Sequence, residues 1–68
     1  MKKLLFIFNA KSGTGAVAKN LANIIDVFVK SGYRVEAYPT QCVMDAKKQI
    51  INRSHEFDLI VCSGGDGT

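Results

Sequence analysis

The sequence predicts an α/β fold in which three parallel strands alternate with two helices, a βαβαβ order. Two observations support this. The hydrophobic pattern changes along the chain between short apolar or alternating segments and segments with helical spacing. Glycine-rich segments also follow the first and third apolar segments directly, where strand-to-helix turns are expected. The chain has 68 residues, so it can hold one domain at most.

The first strand is predicted at residues 3–9, an almost uniformly apolar segment that suits a strand buried on both faces. A loop at residues 10–15 follows. From Ala16 onward the apolar residues recur at the spacing of one helical face, which predicts the first helix. The residues on this face are Val17, Leu21, Ile24, Ile25 and Phe28. Gly32 is expected to end the helix in the left-handed conformation.

The second strand is predicted at residues 33–38, where polar and apolar residues alternate. Its polar residues Arg34 and Glu36 indicate a strand near the edge of the sheet. A second helix is predicted at residues 43–52, with Val43, Ala46 and Ile50 on its buried side. The third strand is predicted at residues 58–62 and, being apolar, is expected to be buried.

Composition excludes several classes of protein. With 47% hydrophobic and 22% charged residues, the chain is neither a disordered segment nor a coiled coil. The longest apolar run, residues 4–8, is too short for a membrane span or a signal peptide, so we expect a cytoplasmic protein. Cys42 and Cys62 lack metal-ligand spacing and are expected to be reduced thiols in packed or half-packed positions. The net charge of +5 over residues 1–34 suits phosphate or an anionic membrane surface, but no nucleic-acid-binding motif is present.

The first glycine loop has the residues of a phosphate site. Lys11 supplies a positive charge, Ser12 and Thr14 supply hydroxyls, and Gly13 and Gly15 allow the backbone to turn its N–H groups toward an anion. The helix after the loop adds the positive end of its dipole. In a parallel sheet this loop lies at the carboxyl ends of the strands, where α/β proteins bind ligands.

A dinucleotide site is one alternative for this loop. Residues 13–18 fit the G-x-G-x-x-A pattern, and Glu36, 23 residues past Gly13, could be the acid that binds a ribose. Glu36 falls inside the predicted second strand, however, so the signal is weak. The Walker A pattern is absent from the sequence.

The second glycine loop contains a carboxylate, Asp66, among the glycines of residues 64–68. A carboxylate beside phosphate is repulsive unless a cation lies between them or the carboxylate accepts a proton. Three roles are therefore open for Asp66: it contacts phosphate through Mg²⁺, it acts as a general base, or it caps a following helix. We favour metal or phosphate positioning, which makes Asp66 an indirect metal-site candidate. Only the general-base alternative would make Asp66 a catalytic residue of this chain.

Three segments together resemble the start of the diacylglycerol kinase catalytic domain family. They are Asn-Ala-Lys-Ser-Gly at residues 9–13, a strand ending at Thr40, and Gly-Gly-Asp-Gly-Thr at residues 64–68. The family comprises soluble bacterial lipid kinases related to sphingosine and ceramide kinases. The last motif is shared with NAD kinases, whereas Asn-x-x-Ser-Gly narrows the resemblance to the lipid branch. Ala10 stands where the family usually has proline, which makes the geometry of this loop less constrained.

The resemblance implies a kinase that binds ATP and Mg²⁺ and transfers the γ-phosphate to a lipid hydroxyl such as that of diacylglycerol, with transient contact at the membrane surface. The implied ATP contacts are Asn9, Ala10, Lys11, Ser12, Gly13, Thr40, Gly64, Gly65, Asp66, Gly67 and Thr68. The family's acceptor-activating carboxylate and its further metal ligands lie beyond these residues. Two alternatives remain: an NAD kinase-like phosphotransferase, and a non-catalytic Rossmann-type nucleotide or dinucleotide-binding module.

Residues 1–68 are accordingly expected to be the N-terminal part of a kinase ATP-binding domain that stops after the second glycine loop, inactive alone and prone to self-associate. If both glycine loops reach one nucleotide, the first and third strands must be neighbours. This predicts the strand order 2-1-3 in a Rossmann-like three-layer domain, with the helices on opposite faces and Ile7 paired near Ile60.

Overall fold

The computed structural model describes residues 1–9, 19–42 and 44–63. Its strands and helices are β1 (Lys2–Phe8), α1 (Leu21–Lys30), β2 (Tyr33–Pro39), α2 (Asp45–Arg53), a short 3₁₀ helix (Ser54–Glu56) and β3 (Leu59–Cys62). The strands form one parallel sheet in the order β2-β1-β3. The predicted α/β class and strand order are confirmed.

The register of the sheet places β1 at its centre. β2 pairs with β1 along its whole length, and β3 pairs with β1 on the other side. Leu5 lies opposite Ile60, and Ile7 lies opposite Cys62. The prediction that Ile7 pairs near Ile60 is therefore confirmed, and β1 and β3 are neighbours as a shared site requires.

The core of the described chain is formed by β1. Its buried side chains are each exposed by no more than 5%: Leu4, Leu5, Phe6, Ile7 and Phe8. On one face of the sheet the ring of Phe6 lies 5.7 Å from that of Phe8 and 6.0 Å from that of Phe28 in α1. Leu21 and Ile24 of α1 pack against the same cluster, so the predicted apolar face is confirmed for these two residues and Phe28, while Ile25 is half-buried.

The second helix covers the opposite face of the sheet. Side chains of one strand alternate between faces, so Glu36 and Tyr38 of β2 point away from the cluster that contains Val35 and Ala37. Arg53 and Asp45, at the two ends of α2, form hydrogen bonds with Glu36 and Tyr38. The sheet therefore lies between two helices, which confirms the three-layer arrangement.

The third strand and the cysteines differ from expectation. Leu59 is 40% exposed, and Cys42 and Cys62 are both exposed rather than packed or half-packed. Within the described residues β3 pairs with β1 alone, which leaves it at an edge of the sheet. The predicted helix start at Ala16 and the position of Val43 lie outside the described residues. None of the helices described is long and apolar enough to cross a membrane.

Candidate functional site

The carboxyl ends of the three strands lie along one edge of the sheet. Asn9 is the first residue after β1, Thr40 the first after β2, and Ser63 the first after β3. Because β1 is central, Asn9 lies between the other two positions. The described part of the chain thus places the ends of all three strands at the edge where parallel α/β sheets bind ligands.

Backbone hydrogen bonds fix the two flanking positions against the central strand. The N–H of Thr40 donates to the carbonyl oxygen of Phe8 at 2.8 Å, and the N–H of Ser63 donates to that of Ile7 at 2.9 Å. Each bond continues the pairing of parallel strands by one step. The start of each loop is consequently set by main-chain geometry, whatever the side chains in the loops.

Two of the predicted ATP contacts, Asn9 and Thr40, lie in the described residues, and the structure brings them to the same edge. Both are half-buried, as is Ser63. The remaining predicted contacts lie outside the described residues: Ala10, Lys11, Ser12, Gly13, Gly64, Gly65, Asp66, Gly67 and Thr68. Asn9 directly precedes the first of these loops, and Ser63 directly precedes the second.

The side chains described at this edge are suited to hydrogen bonding with a nucleotide. An amide and two hydroxyls, from Asn9, Thr40 and Ser63, can donate to phosphate or ribose oxygens without adding negative charge. Among the residues described, His, Cys, Asp and Glu form no group of three or more that could hold a metal ion. The predicted Mg²⁺ contact, Asp66, lies outside this part of the chain.

Glu36, the candidate ribose acid of the dinucleotide alternative, is bound elsewhere. Arg53 donates to its carboxylate twice, through Nη1 at 2.5 Å and Nη2 at 3.0 Å. Glu36 also pairs with Leu5 in the middle of the sheet, three residues before β2 ends at Pro39. This two-bond ion pair links β2 to α2 and leaves Glu36 away from the ligand-binding edge, which argues against a role on a ribose.

A shallow surface groove lies toward the other end of the strands. It is lined by Lys3, Arg34, Glu36, Glu56 and Phe57. Its acidic residues contact Arg53, and the guanidinium of Arg53 lies 5.2 Å from the ring centre of Phe57. These contacts join α2 and the 3₁₀ helix to the sheet, so we assign the groove a structural role.

Asp45, near the carboxyl end of β2, was not predicted from the sequence to have a role in the site. Asp45, the first residue of α2, is only 5% exposed. The hydrogen bond from the backbone N–H of Gln41, with further bonds from Tyr38 and Gln49, holds the pKa of Asp45 below its usual range, although desolvation opposes this. The one sequence feature that could have pointed to Asp45 is its position as an aspartate at the start of a predicted helix. Its burial and its bond to Tyr38 depend on the tertiary structure.

Comparison with known proteins adds a family match. The family model for the diacylglycerol kinase catalytic domain matches residues 3–68. A diacylglycerol kinase of Bacillus subtilis (strain 168) is 38% identical over 69 residues, which cover 100% of this chain and 23% of that protein. The diacylglycerol kinases of Staphylococcus aureus strains JH9 and Newman are each 32% identical over 68 residues, covering 98% of this chain and 22% of theirs. The chain thus spans less than a quarter of the length of these relatives.

Proposed function

Since this chain belongs to the diacylglycerol kinase catalytic domain family, we propose that it forms part of the nucleotide site of an ATP-dependent lipid kinase. The full-length protein would transfer the γ-phosphoryl group of ATP to a lipid hydroxyl such as that of diacylglycerol. The observation that supports this most directly is the meeting of Asn9, Thr40 and Ser63 at one sheet edge. That edge is where both glycine loops must begin in order to contact one nucleotide.

In this proposal the residues at the edge bind and orient the nucleotide. Asn9 and Thr40 hydrogen-bond to it, while the N–H groups of the two glycine loops bind phosphate oxygens. Lys11 balances negative charge on the phosphates. Asp66 would help to hold Mg²⁺ beside the phosphates, and the ion would supply positive charge that offsets the charge on the transferred phosphoryl group. Positioning and electrostatic stabilisation of this kind account for most of the catalysis of phosphoryl transfer.

Nucleotide preference tests the proposal. Titration calorimetry on the full-length protein should show tighter binding of MgATP than of NAD(H), because the loops suit a polyphosphate and Glu36 is paired with Arg53. The same protein should transfer radiolabelled γ-phosphate from ATP to diacylglycerol in mixed micelles. Tighter binding of NAD(H) that is insensitive to Mg²⁺ would instead indicate a dinucleotide-binding module. Transfer of phosphate to NAD, and not to lipid, would indicate an NAD kinase-like enzyme.

A pair of hydroxyl variants tests the location of the site. Thr40→Ala removes a hydroxyl at the proposed edge, and Ser31→Ala removes one before β2, at the opposite end of the sheet. Loss of one hydrogen bond to a charged ligand should raise the Kd for MgATP by about tenfold in Thr40→Ala. The Kd should stay unchanged in Ser31→Ala. Equal effects in both variants would contradict the assignment of Thr40.

A further inference from the structure

We propose that Asp45 is a positioning residue for the nucleotide site, because its buried carboxylate fixes the segment of residues 38–41 that carries Thr40. The inference rests on the proposed function and goes beyond it by assigning a role to a residue outside the predicted nucleotide contacts. Asp45 would act through Thr40, with no contact to the nucleotide itself.

The burial of Asp45 requires hydrogen-bond partners, and the structure supplies them. It is the one buried charged residue among those described. A carboxylate removed from water is strongly destabilising unless its oxygens accept hydrogen bonds. Oδ2 accepts from the hydroxyl of Tyr38 at 2.9 Å and from the backbone N–H of Gln41 at 2.7 Å. Oδ1 accepts from Nε2 of Gln49 at 3.3 Å.

The two donors to Oδ2 stand on either side of Thr40 in the chain. Tyr38 is the penultimate residue of β2, and Gln41 is the residue after Thr40. The N–H of Thr40 is bound to Phe8, and the side-chain amide of Gln41 donates to the carbonyl oxygen of Pro39 at 2.8 Å. Every residue of the segment therefore takes part in a hydrogen bond. The carboxylate of Asp45 binds this segment at two positions, one on each side of Thr40.

The backbone before α2 supports the same conclusion. Met44 has a φ of 72°, a left-handed conformation that is unfavourable for a residue with a side chain. The N–H of Asp45 donates to the carbonyl oxygen of Cys42 at 3.2 Å, which closes a tight turn. Such strain persists where the surrounding contacts determine the conformation. A carboxylate that only stabilised the helix dipole could do so from the surface, without this turn and without burial.

A double-mutant cycle in the full-length protein tests the inference. The variants are Thr40→Ala, Asp45→Asn and the double variant, each assayed for KM and kcat with MgATP and for its thermal midpoint. Each single variant should raise the KM for MgATP by about tenfold, with a much smaller effect on kcat. Asp45→Asn should add less than about twofold in the Thr40→Ala background, because residues that act together show non-additive effects.

Two further variants control for structural effects. Gln49→Ala removes a hydrogen bond to Oδ1 that does not involve residues 38–41, so its KM should match that of the wild type. Tyr38→Phe removes one of the two bonds to Oδ2 and should raise the KM by about threefold. Should Asp45→Asn fail to fold, Tyr38→Phe takes its place in the cycle with Thr40→Ala.

The outcomes separate this inference from the proposed function. A lowered thermal midpoint with an unchanged KM in Asp45→Asn would make Asp45 a helix-stabilising residue and overturn the inference alone. Multiplicative effects of Asp45→Asn and Thr40→Ala on KM would also overturn it, since Asp45 would then act independently of Thr40. An unchanged KM in Thr40→Ala itself would overturn the assignment of the nucleotide site, and the inference with it.

Discussion

The backbone N–H of Thr40 donates to the carbonyl oxygen of Phe8 at 2.8 Å, which joins the residue after β2 to the last residue of β1. The bond from Ser63 to Ile7 does the same on the other side of β1. Neither bond uses a side chain. The spacing of the three strand ends should therefore survive substitutions in the loops, so that loop variants report on ligand binding more than on folding.

Asp66→Asn is the sharpest loop variant for the proposed chemistry. The substitution keeps the size of the side chain and removes the charge proposed to face Mg²⁺. In the full-length protein we expect kcat to fall by at least about 100-fold, the effect typical of losing a group that stabilises transition-state charge. The thermal midpoint should not change.

Asp26→Asn is the matched control for Asp66→Asn. Asp26 is exposed on α1 and pairs with Lys30 at 2.9 Å, an exposed ion pair of the kind that contributes little to stability. The kcat of Asp26→Asn should equal that of the wild type. Near wild-type turnover in Asp66→Asn would mean that Asp66 only caps a helix.

The stability of the protein in acid should depend on Asp45. Its pKa is lowered in the folded protein, so the folded state favours the charged carboxylate. The stabilisation is fully present above the ordinary aspartate pKa of about 3.9 and is lost as the pH falls through the lower, folded-state pKa. Thermal midpoints measured from pH 6 downward should fall in this acid range by less in Asp45→Asn than in the wild type. Parallel profiles for the two proteins would contradict the prediction.

The fold was predictable because its main features depend on local patterns. The uniformly apolar segment of β1 indicated a central strand, and the polar residues Arg34 and Glu36 indicated the outer position of β2. The strand order 2-1-3 followed from the requirement that both glycine loops reach one nucleotide. Asp45 could not be assigned in this way, because its burial depends on Tyr38, seven residues earlier, and on a left-handed residue that is not a glycine. In the candidate site, Asn9 and Thr40 lie at the predicted edge of the sheet, whereas their contacts with a nucleotide and the roles of the loop residues stay predictions.

Adding a Cβ atom at Gly32 should lower the stability of the protein, whereas removing the Cβ atom of Met44 should raise it. Gly32 has a φ of 98° after the end of α1, and apart from its chain neighbours no atom of the described residues lies within 4 Å of an added Cβ. Gly32→Ala should therefore destabilise the protein by backbone strain alone, by about 1–2 kcal/mol. Met44 carries the same kind of strain and is 63% exposed, so its side chain packs little.

Met44→Gly should relieve that strain while adding chain entropy to the unfolded state, which leaves a net gain of about 0.5–1 kcal/mol. Met44→Ala keeps the strain and serves as the control, with an expected change close to zero. Denaturant unfolding of the full-length variants measures all three. A loss of stability in Met44→Gly relative to Met44→Ala would show that the left-handed conformation carries no strain at this position.

The isolated 68-residue chain should self-associate and should not phosphorylate lipid. Val27 is 61% exposed on α1 and Ile51 is 66% exposed on α2, so each outer layer presents large apolar side chains to water. Exposed apolar surface of this kind favours association. Sedimentation velocity should show species larger than a monomer at micromolar concentrations. Val27→Lys with Ile51→Lys should shift the chain toward monomer with an unchanged far-UV circular dichroism spectrum. Lys47→Ala, one helical turn from Ile51, adds no charge to the apolar surface and should not cause this shift. A wild-type chain that stays monomeric, or that transfers phosphate from ATP to diacylglycerol, would contradict this prediction.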